Sequence, residues 1–137
     1  MIIDKFRGEY DFLSNFYSCP VTYNGESYLN AEAAFQAQKT QDTETRHTMS
    51  TMSAKQAKKF GRSLKDPEWF DKSVRIMYEV LTAKFTQHVD LRKKLIATGD
   101  AKLVEGNNWN DTFWGMCHGK GENVLGCLLM MVREDLK

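Results

Sequence analysis

Apolar positions change period several times along this chain, and each change marks an element. Residues 2–6 and 21–23 read as extended segments. Asn24-Gly25 is a two-residue hairpin signal, because both residue types tolerate the positive φ of a tight turn, and residues 27–29 form the return strand. Between these segments, Tyr10, Phe12, Phe16 and Tyr17 crowd one stretch with neither helical nor strand period. Asn30 is an N-cap for helix formers over residues 31–41, and a second helix is expected over residues 43–52. Ser53 and Gln56 make a capping box for a short helix ending near Gly61. Asp66-Pro67 opens a long helix, in which Phe70, Val74, Met77, Leu81 and Phe85 recur at helical steps and are expected in the core. Residues 90–98 form another helix closed by Gly99, and residues 101–105 a short strand. Residues 106–122 are a long Gly/Asn loop. Asn123 then caps a last helix that turns Val124, Leu125, Leu128, Leu129 and Val132 inward. The expected class is α+β: one mostly helical domain over residues 1–137 with a small antiparallel β element.

Length and composition agree with one soluble domain. The chain has 137 residues, 42% of them hydrophobic and 27% charged. Its net charge of +1 argues against a generic polyanion binder, which is strongly basic. Charge is uneven, however: residues 51–100 carry a net +5, so a local phosphate site competes with the plainer reading of a solvated helix face. Three cysteines without a C-x-x-C pair argue against a disulfide framework and for a reducing compartment. No apolar run approaches the roughly 20 residues that span a bilayer. A cytoplasmic protein with no membrane contact is expected.

Metal chemistry finds no support, since His47, His88 and His118 are scattered without ligand spacing. Cys117-His118 are neighbours in a loop, where adjacent side chains rarely face each other, so an incidental cysteine is the plainer reading. Glu32, Gln36 and Lys39 share one helix face at i, i+4 and i+7. A carboxylate raised by burial serves as acid or base, and a lysine amine pairs with it or attacks a sugar carbonyl. Alone, such a face is more often a weak surface ion pair. Lys55, Lys58, Lys59 and Arg62 form a cationic stripe suited to phosphate or simply solvated. Glu105, Asn107, Asn108, Asp111 and Trp114-Gly115 place amide, carboxylate and indole groups on a loop flexible enough to close over a ligand. Gly119-Lys120-Gly121, just before Asn123, would let backbone N–H groups approach an anion.

These motifs stand in one order: Leu13-Ser14-Asn15-Phe16, Ala31-Glu32 with Phe35-Gln36-Ala37-Gln38-Lys39, Gly61-Arg62, Ala83-Lys84-Phe85, Asn110-Asp111, Trp114-Gly115 and Gly119-Lys120-Gly121-Glu122-Asn123-Val124-Leu125-Gly126. In that order the chain resembles the NADAR family, also called YbiA-like or riboflavin-intermediate N-glycosidases, over residues 6–136. The resemblance implies a largely helical α+β domain and hydrolysis of an N-glycosidic bond in a phosphorylated ribosyl substrate. The substrate would be a ribosylamino-pyrimidine phosphate of riboflavin synthesis or ADP-ribose on guanine bases of nucleic acid. It implies Glu32, Lys39 and Asp111 as catalytic groups. Asn15, Phe16, Gln36, Arg62, Trp114, Gly115, Gly121 and Asn123 would bind substrate, without metal or cofactor. Relatives often carry His after the glutamate, whereas this chain has Ala33. The competing class is a module that binds ADP-ribose without cleaving it.

Cleavage of a C–N glycosidic bond is expected to pass through an oxocarbenium-like state, as O-glycoside hydrolysis does. Glu32 and Asp111 would divide charge stabilisation and proton transfer. Lys39 offers a covalent alternative as a Schiff base with the opened sugar. Trp114 and Phe16 would stack on the base, Asn15 and Asn123 would bond ribose or phosphate, and Arg62 would hold the phosphate.

Overall fold

The computed structural model describes residues 1–137 and groups them into two units: Asn15–Gln87, and Met1–Ser14 together with His88–Lys137. In the first unit, Asn24 and Gly25 adopt φ of 50° and 82° and turn strand β2 (Ser18–Tyr23) into β3 (Glu26–Asn30). The antiparallel register pairs Val21 with Tyr28 and Tyr23 with Glu26. It shifts between Ser18 and Val21, where Pro20 has no N–H to give the ladder.

Asn30 ends β3 and caps α1 (Ala31–Gln36), its Oδ1 accepting the Ala33 N–H at 2.8 Å. The helix tightens into a 3₁₀ turn at Ala37–Lys39 and stops short of residue 41. Arg46 supplies the reason. Its Nε donates to the Ala37 and Thr40 carbonyls, which a continuing helix would have bonded to its own N–H groups. Helix α2 (Thr43–Met49) starts at Asp42, and α3 (Ala54–Gly61) carries both bonds of the Ser53/Gln56 capping box.

Helix α4 (Trp69–Gln87) buries Ile76, Met77, Val80, Leu81 and Phe85. At roughly 1.5–3 kcal/mol per buried apolar side chain, this stripe is a main source of stability in the unit. Val74 is half-buried, and Phe70 is 75% exposed, contrary to its expected place in the core. Phe70 lies in the first turn, where its neighbour Trp69 makes the inward contact, stacking on Phe35 at 5.0 Å between centroids.

In the second unit, β1 (Ile2–Ile3) pairs in parallel with β4 (Lys102–Leu103). A 3₁₀ turn at Gly8–Leu13 buries Phe12 and Leu13. Helix α5 (Val89–Ala97) ends at Gly99, whose φ is 66°. Two further short strands, β5 (Gly106–Asn107) and β6 (Met116–Cys117), also pair in parallel. Helix α6 (Val124–Asp135) buries Leu125, Leu128, Leu129 and Val132, along with Arg133, which donates to the Thr98 hydroxyl and the Ala101 carbonyl. The class is α+β and mostly helical, as expected. The extended segments expected at residues 2–6 and 101–105 contain β1 and β4, while their parallel pairing and the two-residue strands β5 and β6 were not expected. No helix is long and apolar enough to cross a membrane.

Candidate active site

In the unit Asn15–Gln87 the candidate residues gather around α1. Glu32 is only 8% exposed. Its backbone N–H donates to the Asn15 carbonyl at 3.1 Å, which ties the Ser14-Asn15-Phe16 segment to the first turn of α1. One turn along, Gln36 Nε2 donates to Glu32 Oε2 at 2.7 Å. A neutral amide thus holds the buried carboxylate. Gln36 Oε1 is buried and has no hydrogen-bond partner, as is Asn15 Oδ1. An unpaired buried acceptor costs about 1–3 kcal/mol. Asn15 Nδ2 meets only the soft Met77 sulfur, at 3.3 Å.

Gln36 fits because residue 61 has no side chain. A Cβ on Gly61 would stand 2.1 Å from Gln36 Oε1. The same glycine's carbonyl accepts Lys39 Nζ at 3.2 Å. The indole of Trp69 covers that amine, with Nζ 5.6 Å from the ring centroid. Burial pushes the Lys39 pKa below its ordinary value of 10.5; the Glu32 carboxylate opposes this and Lys65 and Arg62 reinforce it. Surroundings that depress a lysine pKa favour its neutral form relative to a solvated lysine. Arg62 follows at the C-terminus of α3 with its side chain exposed, and Phe16 is 46% exposed with Lys58 Nζ 5.9 Å from its ring centroid. Lys55 and Lys59 point to solvent.

Trp69 escaped the sequence reading, and Lys84 entered it only within the Ala83-Lys84-Phe85 motif, with no role assigned. Trp69 follows Pro67 at the start of a helix, and a tryptophan there was the available signal. Lys84 is completely buried, its Nζ lying 5.5 Å from the Tyr17 ring and 5.1 Å from the Phe85 ring. It falls on the inner stripe of α4, where periodicity alone would place an apolar residue.

The other unit holds Asp111, Trp114, Gly115, Gly121 and Asn123. Here the expectation of a loop flexible enough to close is corrected: the segment is tied along its length. Asp111 Oδ1 accepts the N–H groups of Phe113 and Trp114 at 3.2 and 2.9 Å. Asn107 bridges the Glu105 carboxylate and the Asp111 carbonyl. The backbone N–H groups of Met116, Glu122, Asn123, Val124 and Leu125 donate to the carbonyls of Glu105, Thr112, Gly115, Phe113 and Trp114. Gly115 lies so close to the Glu105 carbonyl that a Cβ would stand 2.2 Å from it. Gly121 packs on the Gly115 carbonyl, and the Lys120 N–H is already bonded to Cys117. Trp114 meets Phe113 edge to face at 5.0 Å.

Asn123 does not cap α6 with its side chain, as expected from sequence. It sits in the left-handed region, with φ 53°, and its amide reaches back to β4 and beyond, donating to Leu103 O and accepting from Glu105 N–H, each at 2.9 Å. The Asn123 amide serves a buried and a part-buried backbone group instead of the helix end.

A family model described as the NADAR domain matches residues 4–137. Over 133 residues the chain is 41% identical to a protein named N-glycosidase YbiA from Escherichia coli (strain K12), covering 93% of this chain and 82% of that protein. It is 37% identical to riboflavin biosynthesis protein VVA0006 of Vibrio vulnificus (strain YJ016), covering 92% of this chain and 35% of that longer one. The NMR structure of the E. coli protein YbiA is similar, with a TM-score of 0.85 and 39% identity over 98% of this chain and 84% of that one.

Proposed function

Because this chain belongs to the NADAR domain family, we propose that it is an N-glycosidase, a hydrolase that breaks the C–N bond joining a base or pyrimidine amine to a phosphorylated ribosyl group. The names of its relatives support the reaction class. The observation that carries the reading is the face built by Glu32, Gln36 and Lys39: a buried carboxylate bonded by an amide, beside a lysine whose pKa burial depresses.

In the proposed reaction the C–N bond breaks and its electron pair leaves with the base nitrogen, which takes up a proton. Positive charge grows at the anomeric carbon, and Glu32 is placed to stabilise it or to draw a proton from the attacking water. Two routes then complete the hydrolysis. In the direct route, water oxygen bonds the anomeric carbon. In the covalent route, neutral Lys39 Nζ bonds that carbon, the ring opens to an imine, and water releases the sugar and restores the amine. Arg62 is proposed to hold the phosphate and Phe16 to face the base, both within the unit Asn15–Gln87. The reading requires no cofactor and no metal.

Product analysis by mass spectrometry tests it. The protein is incubated with an ADP-ribosylated guanine oligonucleotide and, separately, with a ribosylamino-pyrimidine phosphate. Release of ADP-ribose from the first, or of a ribosyl phosphate from the second, is expected and identifies the leaving group. Binding of ADP-ribose with cleavage of neither would overturn the proposal.

A further inference from the structure

Four torsions separate the Lys39 backbone from its amine, and a lysine side chain loses about 2 kcal/mol of rotamer entropy when it is fixed. Such a side chain stays put only if something holds its end. Lys39 begins from the 3₁₀ turn that closes α1, so its own helix does not hold it. Two contacts do. One is the Gly61 carbonyl at 3.2 Å. The other is the Trp69 indole, with the ammonium 5.6 Å from its centroid and so within reach of the ring's negative face. The indole is itself held, because Phe35 of α1 meets it at 5.0 Å with an interplanar angle of 55°. A ring this well braced, in the first turn of α4 beside an outward-turned Phe70, has a definite place in the unit.

We infer that Trp69 is a positioning residue for the Lys39 amine, fixing Nζ against the Gly61 carbonyl at the Glu32 end of the site. The inference rests on the proposed role of Lys39. Trp69 touches no reacting atom; it acts by restricting where the amine goes. Its flat face suits both states of that group: it attracts the ammonium, and it gives the neutral amine an apolar wall that keeps water off.

Trp69→Leu and Trp69→Phe are compared with Lys39→Ala and Glu32→Gln, using whichever of the two substrates the wild type cleaves. A reacting group displaced by about 1 Å loses on the order of 10²-fold in rate. Trp69→Leu is therefore expected to lower kcat about that much with KM changed little, and Trp69→Phe to restore most of the loss. Thermal melts establish that both variants are folded. As an independent readout, the Lys39 ε-protons of the wild type should resonate upfield of the solvated lysines through the indole ring current, and lose that shift in Trp69→Leu. This signature is read on the wild type even if the leucine variant does not fold. Unchanged kcat in folded Trp69→Leu, a loss confined to KM, or unshifted ε-protons in the wild type would overturn the inference. Full activity in Lys39→Ala would instead overturn the role of Lys39 itself.

Discussion

Gly61→Ala is the perturbation that tests the packing of the site most directly. Helix propensity alone argues that it should help, because alanine is preferred to glycine in a helix by up to about 1 kcal/mol, and less at a last residue such as this one. Geometry argues the opposite. The added Cβ would stand 2.1 Å from Gln36 Oε1, 2.7 Å from its Cδ and 3.3 Å from its Cβ. Gln36 cannot simply swing away, since its Nε2 is bonded to the buried Glu32 carboxylate. Overpacking of this kind costs about 1–3 kcal/mol, and a lost hydrogen bond to a charged group about 1.5–3 kcal/mol. The two overlap, because moving Gln36 relieves the clash by breaking the bond. Net of the propensity gain, the expected loss is about 1–3 kcal/mol, or about 4–12 °C in Tm for a domain of this size. Turnover should fall as well, since Glu32 loses its orienting amide. The control is Gln36→Ala: in that background Gly61→Ala should be neutral or stabilising. Thermal and urea unfolding of the four proteins measures the coupling. Additive effects, or a single Gly61→Ala variant as stable as the wild type, would refute the reasoning.

Other expectations follow from the same contacts. Glu32→Gln should reduce turnover by at least about 10²-fold in a folded protein. Borohydride added during turnover should trap an adduct on Lys39 if the covalent route operates, and its repeated absence would leave the direct route. Burial depresses the Lys39 pKa while Glu32 raises it, so an NMR titration should find Lys39 below 10.5 and lower still in Glu32→Gln. Tyr23 donates to Glu79 at 2.5 Å, and burial, reinforced by that carboxylate, pushes the phenol up to about 12. The folded state therefore favours the protonated phenol. Its contribution is complete below pH 10.0 and is lost as pH rises toward about 12, so Tyr23→Phe should remove this part of the alkaline loss in denaturant titrations. Asn123→Ala should cost about 1–3 kcal/mol in the same assay, because it strands the buried Leu103 carbonyl and the part-buried Glu105 N–H.

What the sequence made legible was local. The Asn24-Gly25 turn, the Asn30 cap and the Ser53/Gln56 box each depend on residues within four positions, and each formed as expected. The helix face of Glu32 and Gln36 was legible for the same reason. Features decided by packing were not. Phe70 and Trp69 are both large aromatics at the start of α4, and it is Trp69 that meets Phe35 and Lys39. Asn123 carries the sequence signature of a cap, yet its amide serves Leu103 and Glu105, about twenty residues earlier. Lys84 stood in the Ala83-Lys84-Phe85 motif, but nothing local said that it would be fully buried against the Tyr17 and Phe85 rings. The loop over residues 106–122 looked open because Gly and Asn abound there, and those same residues permit the close approaches that tie it down.

The pairing of β1 with β4 bears on how this chain is made. Ile2 meets Lys102, so β1 waits for a partner a hundred positions later in the chain. The unit Asn15–Gln87, by contrast, is one continuous stretch of chain that precedes α5. Closing a long loop is entropically unfavourable, and contacts of high sequence separation slow folding. During translation, then, Glu32, Gln36 and Lys39 can assemble on the nascent chain while Ile2 and Ile3 are still unpaired. A stalled chain released after residue 90 should already show the protease resistance of α1 and α4 and leave Met1–Ser14 open to cleavage.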